Sequence, residues 1–164
     1  QTTNGIVHVI DAVIDLPTIA TFATTNPALS ILVDALVYAD GGTPTVPYID
    51  TVSNATAGPF TVFAPTNDAF VSLLAELQVG ALTDIPRETV DAVLLKHIVG
   101  ANVQSSQLTS GTVPTLGGNI TANATAFTLT DPRNRVSNIV TTLVDIQGTN
   151  GVVHVIDKVL LPAL

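Results

Sequence analysis

A ten-residue stretch that occurs twice constrains this chain more than any other feature of it. Residues 4–13 read Asn-Gly-Ile-Val-His-Val-Ile-Asp-Ala-Val and residues 150–159 read Asn-Gly-Val-Val-His-Val-Ile-Asp-Lys-Val, identical at eight of ten positions and 146 residues apart. Both copies run on to a proline, Pro17 and Pro162. Self-similarity at one long interval is the mark of a repeated module. The second copy closes a unit and the first has no body ahead of it. The chain therefore reads as one whole module, residues 17–164, preceded by the tail of another, residues 1–16. A chain that begins at Gln1 and holds no methionine further reads as a processed or excised piece of a longer product.

One hundred and sixty-four residues are enough for a single core and too few for two full domains. Periodicity places helices first. Pro17 to Ala39 reads as helical, with Asn26 as N-cap, Pro27 in the first-turn slot, and Leu29, Leu32, Val33, Leu36 and Val37 on one face. Asp40-Gly-Gly-Thr-Pro ends it and opens a loop to about Pro59. Phe60 to Ala64 alternates as a strand. Thr66 or Asn67 then caps a helix burying Phe70, Leu73, Leu74 and Leu77, and Asp84 caps a third that buries Val90, Val93, Leu94, His97 and Ile98. Phe63 and Phe70 are expected to enter one core from two elements.

From Asn102 the period changes to two. Gly117-Gly118 sits between Thr112–Leu116 and Asn119–Thr121, a hairpin signal because both turn positions tolerate positive φ. Strands are expected over Thr125–Thr130, Val136–Ile146 and Val152–Leu160, separated by Asp131-Pro132-Arg133-Asn134 and Gly148-Thr-Asn-Gly151. Helices in the first half and strands in the second make the class α+β with a mainly antiparallel sheet or sandwich, not a doubly wound fold.

Composition then removes whole classes of function. Thirteen acidic against five basic residues give a net charge of -8, which repels nucleic-acid backbones and anionic lipid heads. The longest apolar stretches, such as Ile31–Ala39 with Asp34 inside it, fall far short of the roughly 20 residues a spanning helix needs, so the chain reads as soluble. Without cysteine there are no disulfides, thiolate metal sites or cysteine nucleophiles. No Gly-x-Ser-x-Gly, His-Glu-x-x-His, Walker or Gly-x-Gly-x-x-Gly motif occurs, and three histidines with two lysines and two glutamates are thin material for an active site. His8 and His154 are one position in two copies, and alternation puts His154 on the face opposite Val153 and Val155, in a structural or surface role. His97 ends an apolar helical stripe, where a core-edge histidine bonded to backbone is expected. The aspartates are scattered singly, without calcium-loop spacing; Asp40 and Asp131 lie in turns where a weak cation can lodge. Asn54-Ala-Thr, Asn119-Ile-Thr and Asn123-Ala-Thr are glycosylation sequons in a eukaryotic source. No cofactor, no metal and no enzymatic activity are expected.

Thr61-Val-Phe-Ala-Pro-Thr-Asn-Asp-Ala-Phe70 resembles the first signature box of the fasciclin domain family, and Asn150-Gly-Val-Val-His-Val-Ile-Asp-Lys-Val-Leu-Leu-Pro162 resembles the second. Leu94-Leu-Lys-His97-Ile is similar to the helix that ends in the family's Tyr-His pair. The resemblance covers residues 17–164 and implies a wedge-shaped β-sandwich with a helical cap, secreted or cell-surface anchored, and non-catalytic. It implies an adhesion or matrix-interaction module, one unit of a tandem array, whose partners are a cell-surface or matrix protein or a polysaccharide together with adjacent modules of its own chain. By the same resemblance the integrin-binding positions of animal members fall on Lys96 and His97, with lysine in place of tyrosine, and on Asp145 and Ile146, flanked here by Val144 and Gln147. Some algal members bind carotenoids, so the second implied reading is a carrier of a carotenoid or lipid, which the apolar composition favours. Residues 5–13 have the pattern of a strand without a parent sheet, suited to packing along a neighbouring module or to pairing two chains as a weak homodimer.

Overall fold

The computed structural model describes residues 16–163; the first copy of the repeat and its pairing role lie outside them. Helix α1 spans Ile19–Thr25 and α2 spans Ser30–Asp40. The predicted single helix is two, bent by 102° at Asn26. Asn26 is the reason: its Oδ1 accepts from Ala28 N at 3.1 Å while Pro27 starts a 3-10 turn. The α2 face is also rotated from expectation. Leu29, Leu32, Ala35, Leu36 and Ala39 are buried, and Val37 is 57% exposed.

The loop after α2 contains a third helix that the pattern does not announce, α3 over Tyr48–Ser53. Asp40 makes it, accepting from Tyr48 N and Ile49 N at 2.8 Å each across the loop. Strand β1 is Phe60–Pro65, α4 is Asn67–Leu77 and α5 is Arg87–Lys96. Thr66 caps α4 as expected, accepting from Ala69 N at 3.3 Å. Asn67 reaches back to the α1–α2 corner, taking Ile31 N at 3.0 Å and giving to Pro27 O at 2.9 Å. Asp84 does not cap α5. It closes a preceding turn by accepting from Gly80 N and Ala81 N, and α5 begins after Pro86.

Among the described residues, eight strands form two four-stranded sheets. One has the order β2-β1-β8-β7, with β2 at Ile98–Val99, β7 at Ile146–Gly148 and β8 at Gly151–Ile156. The other, β3-β4-β5-β6, is a meander of Gly111–Thr115, Gly118–Asn123, Thr128–Thr130 and Val136–Asn138. The class is α+β, as read. The meander is antiparallel throughout, while the first sheet is mixed, because β1 and β8 pair in parallel from Phe60↔Gly151 to Pro65↔Ile156. The long strand expected over Val136–Ile146 is two short ones, with Leu143 N and Val140 O closing a turn between them.

Both boxes lie side by side in this parallel pair, and their burial is two-sided. Helices cover one face and the meander covers the other, so every residue of β8 is buried. Phe70, Val62, Ala64, Val153 and Val155 belong to the helical cluster. Phe63, Ile156 and Leu160 belong to a second cluster with Ile120, Ala122 and Leu129 of the meander. The two box phenylalanines thus stabilise different cores, contrary to expectation, since adjacent strand residues point to opposite faces.

A candidate interaction site at the edge of the mixed sheet

His154 is in the inter-sheet core, 3% exposed, with no surface role of its own. Its ring stacks on Phe63 at 5.7 Å between centroids. Nε2 donates to Val103 O at 2.8 Å and Nδ1 accepts from Asp145 N at 3.3 Å, so the hydrogen bonds assign Nε2 as the donor nitrogen. Asp145 stands at the mouth of β7 with φ +57, a left-handed conformation that aspartate tolerates. Its carboxylate accepts from Ser105 N at 2.6 Å and from the Ser105 hydroxyl. Partial burial pushes this carboxyl up, but the two Ser105 bonds and nearby His154 outweigh it and hold it below the usual carboxylate range.

The segment that supplies Ser105 is a strap across the sheet. It leaves β2, meets β1 where Thr61 Oγ1 donates to Ala101 O at 2.6 Å and accepts from Val103 N at 2.8 Å, and meets β8 at His154. It ends beside β7, where Asn102 Nδ2 donates to Gln147 Oε1 at 3.2 Å. Asn102, Gln104 and Gln147 are exposed, and Asp145 and Ile146 are half-buried, so this edge presents amides around one fixed carboxylate. Sequence reasoning missed Ser105, because it lies forty positions from Asp145 and no local period connects them.

Lys96 and His97 occupy the opposite edge, beyond β1 and β8, roughly 14 Å away at the usual strand spacing. His97 is 2% exposed and spans the core: Nδ1–H donates to Val93 O at 2.7 Å and Nε2 accepts from Leu160 N at 3.0 Å. Burial pushes its pKa down to about 4, with Lys96 acting in the same direction and the Val93 bond and Asp131 against it. Lys96 is 3% exposed, its Nζ 3.4 Å from Asn119 O beneath the β3–β4 hairpin. Burial lowers the pKa of its ammonium and Asp131 partly restores it. The hairpin closes over this corner through Leu116 N to Ile98 O at 2.8 Å and Gly117 N to Leu95 O at 2.9 Å. The four residues singled out from the sequence therefore do not converge. Asp145 and Ile146 reach the surface, and Lys96 and His97 are inside.

The carboxylates considered for a cation are occupied by backbone donors. Asp40 caps α3, and Asp131 accepts from Arg133 N, Arg135 N and Leu161 N with Arg135 Nη1 3.7 Å away. Among the described residues no group of three or more acidic or imidazole side chains is placed to hold a metal ion. Two apolar cavities lie between the helices and against β1, of about 40 and 20 Å³. Both are well under the roughly 300 Å³ at which ligand pockets begin, and far too small for a carotenoid in this conformation. Roomier surface clefts, of 440 and 320 Å³, are lined by threonine, asparagine, aspartate and Arg87. No single helix among the described residues is long and apolar enough to cross a membrane.

The family model for the Fasciclin domain matches residues 29–162. Protein sll1483 of Synechocystis is 35% identical over 147 residues, covering 90% of this chain and 74% of its own. The cell surface glycolipoprotein MPB83 of Mycobacterium bovis is 33% identical over 144 residues, covering 88% of this chain and 60% of its own. Among solved structures, a FAS1 domain pair from the insect cell adhesion molecule fasciclin I superposes with a TM-score of 0.68 at 19% identity, over 98% of this chain and 57% of that one. The chain thus spans between about half and three quarters of these proteins. With the two boxes paired as neighbouring strands at the centre of a FAS1 fold, the chain belongs to the fasciclin domain family.

Proposed function

We propose that this chain is an extracellular, non-catalytic adhesion or matrix-interaction module, one unit of a tandem array, and that it touches its partner through the Asp145 edge of the mixed sheet. Family membership carries the reading, with a cell-surface protein among the relatives. The geometry supports it in a specific way. His97 and His154 spend both ring nitrogens on the fold, and Lys96 is sealed under a hairpin. What faces solvent at the β7 edge is instead a preorganised carboxylate with amide side chains around it, suited to hydroxyls and amides of a polysaccharide or matrix protein. The 320 and 440 Å³ clefts are open to solvent and of mixed polar and apolar lining, and the apolar cavities of the interior are only about 20 and 40 Å³, which disfavours the lipid-carrier reading.

The test is adhesion of the purified chain to a matrix-protein panel and a glycan array, beside Asn102→Ala/Gln147→Ala and Asp145→Asn. The exposed amide pair is peripheral to the core, so its replacement is expected to leave the thermal midpoint within a few degrees and to weaken binding several-fold. Binding unchanged in both variants would move the contact surface elsewhere.

A further inference from the structure

The way the chain enters and leaves the module bears on how modules join. At the start, Pro17 O accepts from Thr149 N at 2.9 Å and Ile19 N donates to Asn150 Oδ1 at 3.0 Å. The fit there is close. A methyl group at Gly148 would sit 3.0 Å from Pro17 O and 3.1 Å from the carbonyl carbon of Thr18. The module is therefore fastened to its own β7–β8 turn from Pro17 onward.

At the end, fastening is as continuous. Lys158 N donates to Ser137 Oγ, Arg135 Nη1 to Val159 O, Leu160 N to His97 Nε2, Leu161 N to Asp131 Oδ2 and Arg133 Nε to Pro162 O, all between 2.9 and 3.1 Å. The repeat aligns Leu161-Pro162 with Leu16-Pro17, after one inserted residue, Asp15. The last residue held by one module is thus the first residue held by the next.

We infer that successive modules of the array join with no linker, the turn at Asp131–Arg135 of one module seated against the β7–β8 turn and α1 start of the following one. This rests on the array reading proposed above. The occupant argued for the surface around Pro17 is the preceding module, and the repeat marks one side chain for it to cover. Leu16 is 76% exposed, whereas Leu161, its counterpart in the closing copy, is 5% exposed. The shared proline carbonyl has a lone pair for each side, one for the arginine of the module behind and one for Thr149 of the module ahead. Such a junction fixes the direction of each module relative to the last, where a flexible connector would not.

The sequence defines its own test. Residues 1–162 continued directly by residues 18–164 make a two-module protein in which Pro162 takes the place of Pro17. A second version carries six Gly/Ser residues after Pro162, a coil with a root-mean-square span of about 13 Å. The chain lacks cysteine, so Ser53→Cys in both modules gives a unique spin-label pair. The direct junction is expected to give a narrow inter-label distance distribution and the insert one several-fold broader. Equally broad distributions in the two proteins would overturn the inference. Failure of the array reading is separate: a narrow distance combined with adhesion no stronger than that of one module would sink the array while leaving the junction standing.

Discussion

At the scale of single residues, the conspicuous histidine of the helical corner is a structural bridge whose effect on stability depends on pH. His97 is neutral in the fold because burial pushes its pKa down to about 4, against 6.5 for a free imidazole. Between those values the unfolded chain binds a proton that the folded chain refuses, so stability is complete above about pH 6.5 and declines as pH falls toward 4. The loss from this one group is roughly 3 kcal/mol. Asp145 adds to it with the same sign: a carboxyl held below its ordinary range stabilises the fold above that range and stops doing so as acid protonates it. The thermal midpoint is expected to drop steeply from pH 6.5 to 4, and His97→Gln to flatten that slope while costing stability at pH 7. A midpoint independent of pH across this interval would show that His97 takes up its proton without leaving the core. Ser105→Ala isolates the other edge. Removing its hydroxyl from Asp145 is expected to cost about 1–2 kcal/mol, seen in denaturant unfolding, and to raise the Asp145 pKa, seen by carboxyl-resonance titration.

At the scale of elements, the parallel β1–β8 pair is the seam on which both cores depend. Gly151 opens β8 at φ +151, and a Cβ there would lie 2.0 Å from Phe60 O, so the strand can approach β1 only without a side chain. Gly151→Ala is expected to cost more than 3 kcal/mol, comparable with Phe63→Ala or Phe70→Ala, each of which empties a different cluster. Denaturant unfolding of the three variants checks this ranking; a neutral Gly151→Ala would mean that the seam can slide. How much of this was legible follows from where the information sits. The face of α5 was readable in Val90, Val93 and Leu94, which recur at helical spacing and are buried; the helix ends at Lys96, with His97 as its cap and Ile98, expected on the same face, in β2. The hairpin was readable from its glycines, but its turn is Leu116-Gly117, one residue earlier than expected, with Gly118 pairing Thr115 as the first residue of β4. Helix α3 was not, because its N-terminal donors are met by Asp40 from eight residues upstream. Nor was the role of β8, whose burial on both faces erases the alternation that tells one side of a strand from the other. At the candidate site, Asp145 and Ile146 were found through the resemblance alone; their support by Ser105, and the enclosure of Lys96 and His97, depend on tertiary contacts.

At the scale of the whole molecule, the array proposed above makes strength of attachment a question of number and geometry. A single module offers one carboxylate and a few amides at an exposed edge, and contacts of that kind exposed to water contribute little each. Joining modules raises the effective concentration of every edge after the first has bound, and overall avidity can then exceed one module's affinity by about 10²–10⁴. The gain depends on reach. Modules held without a linker present their edges at fixed intervals, so they gain most on a partner whose sites repeat at the same interval and little on one whose sites do not. Flexible connectors would level that difference. The prediction is that retention of one-, two- and four-module proteins on a regular fibrous or polysaccharide surface rises steeply with module number, measured as dissociation rate. On randomly immobilised soluble partner the same series is expected to rise much less. Asp145→Asn in every module should bring the four-module protein back toward the single module on both surfaces. Equal dissociation rates across the series on the regular surface would mean that attachment does not accumulate along the array, and that the duplicated strand serves length alone.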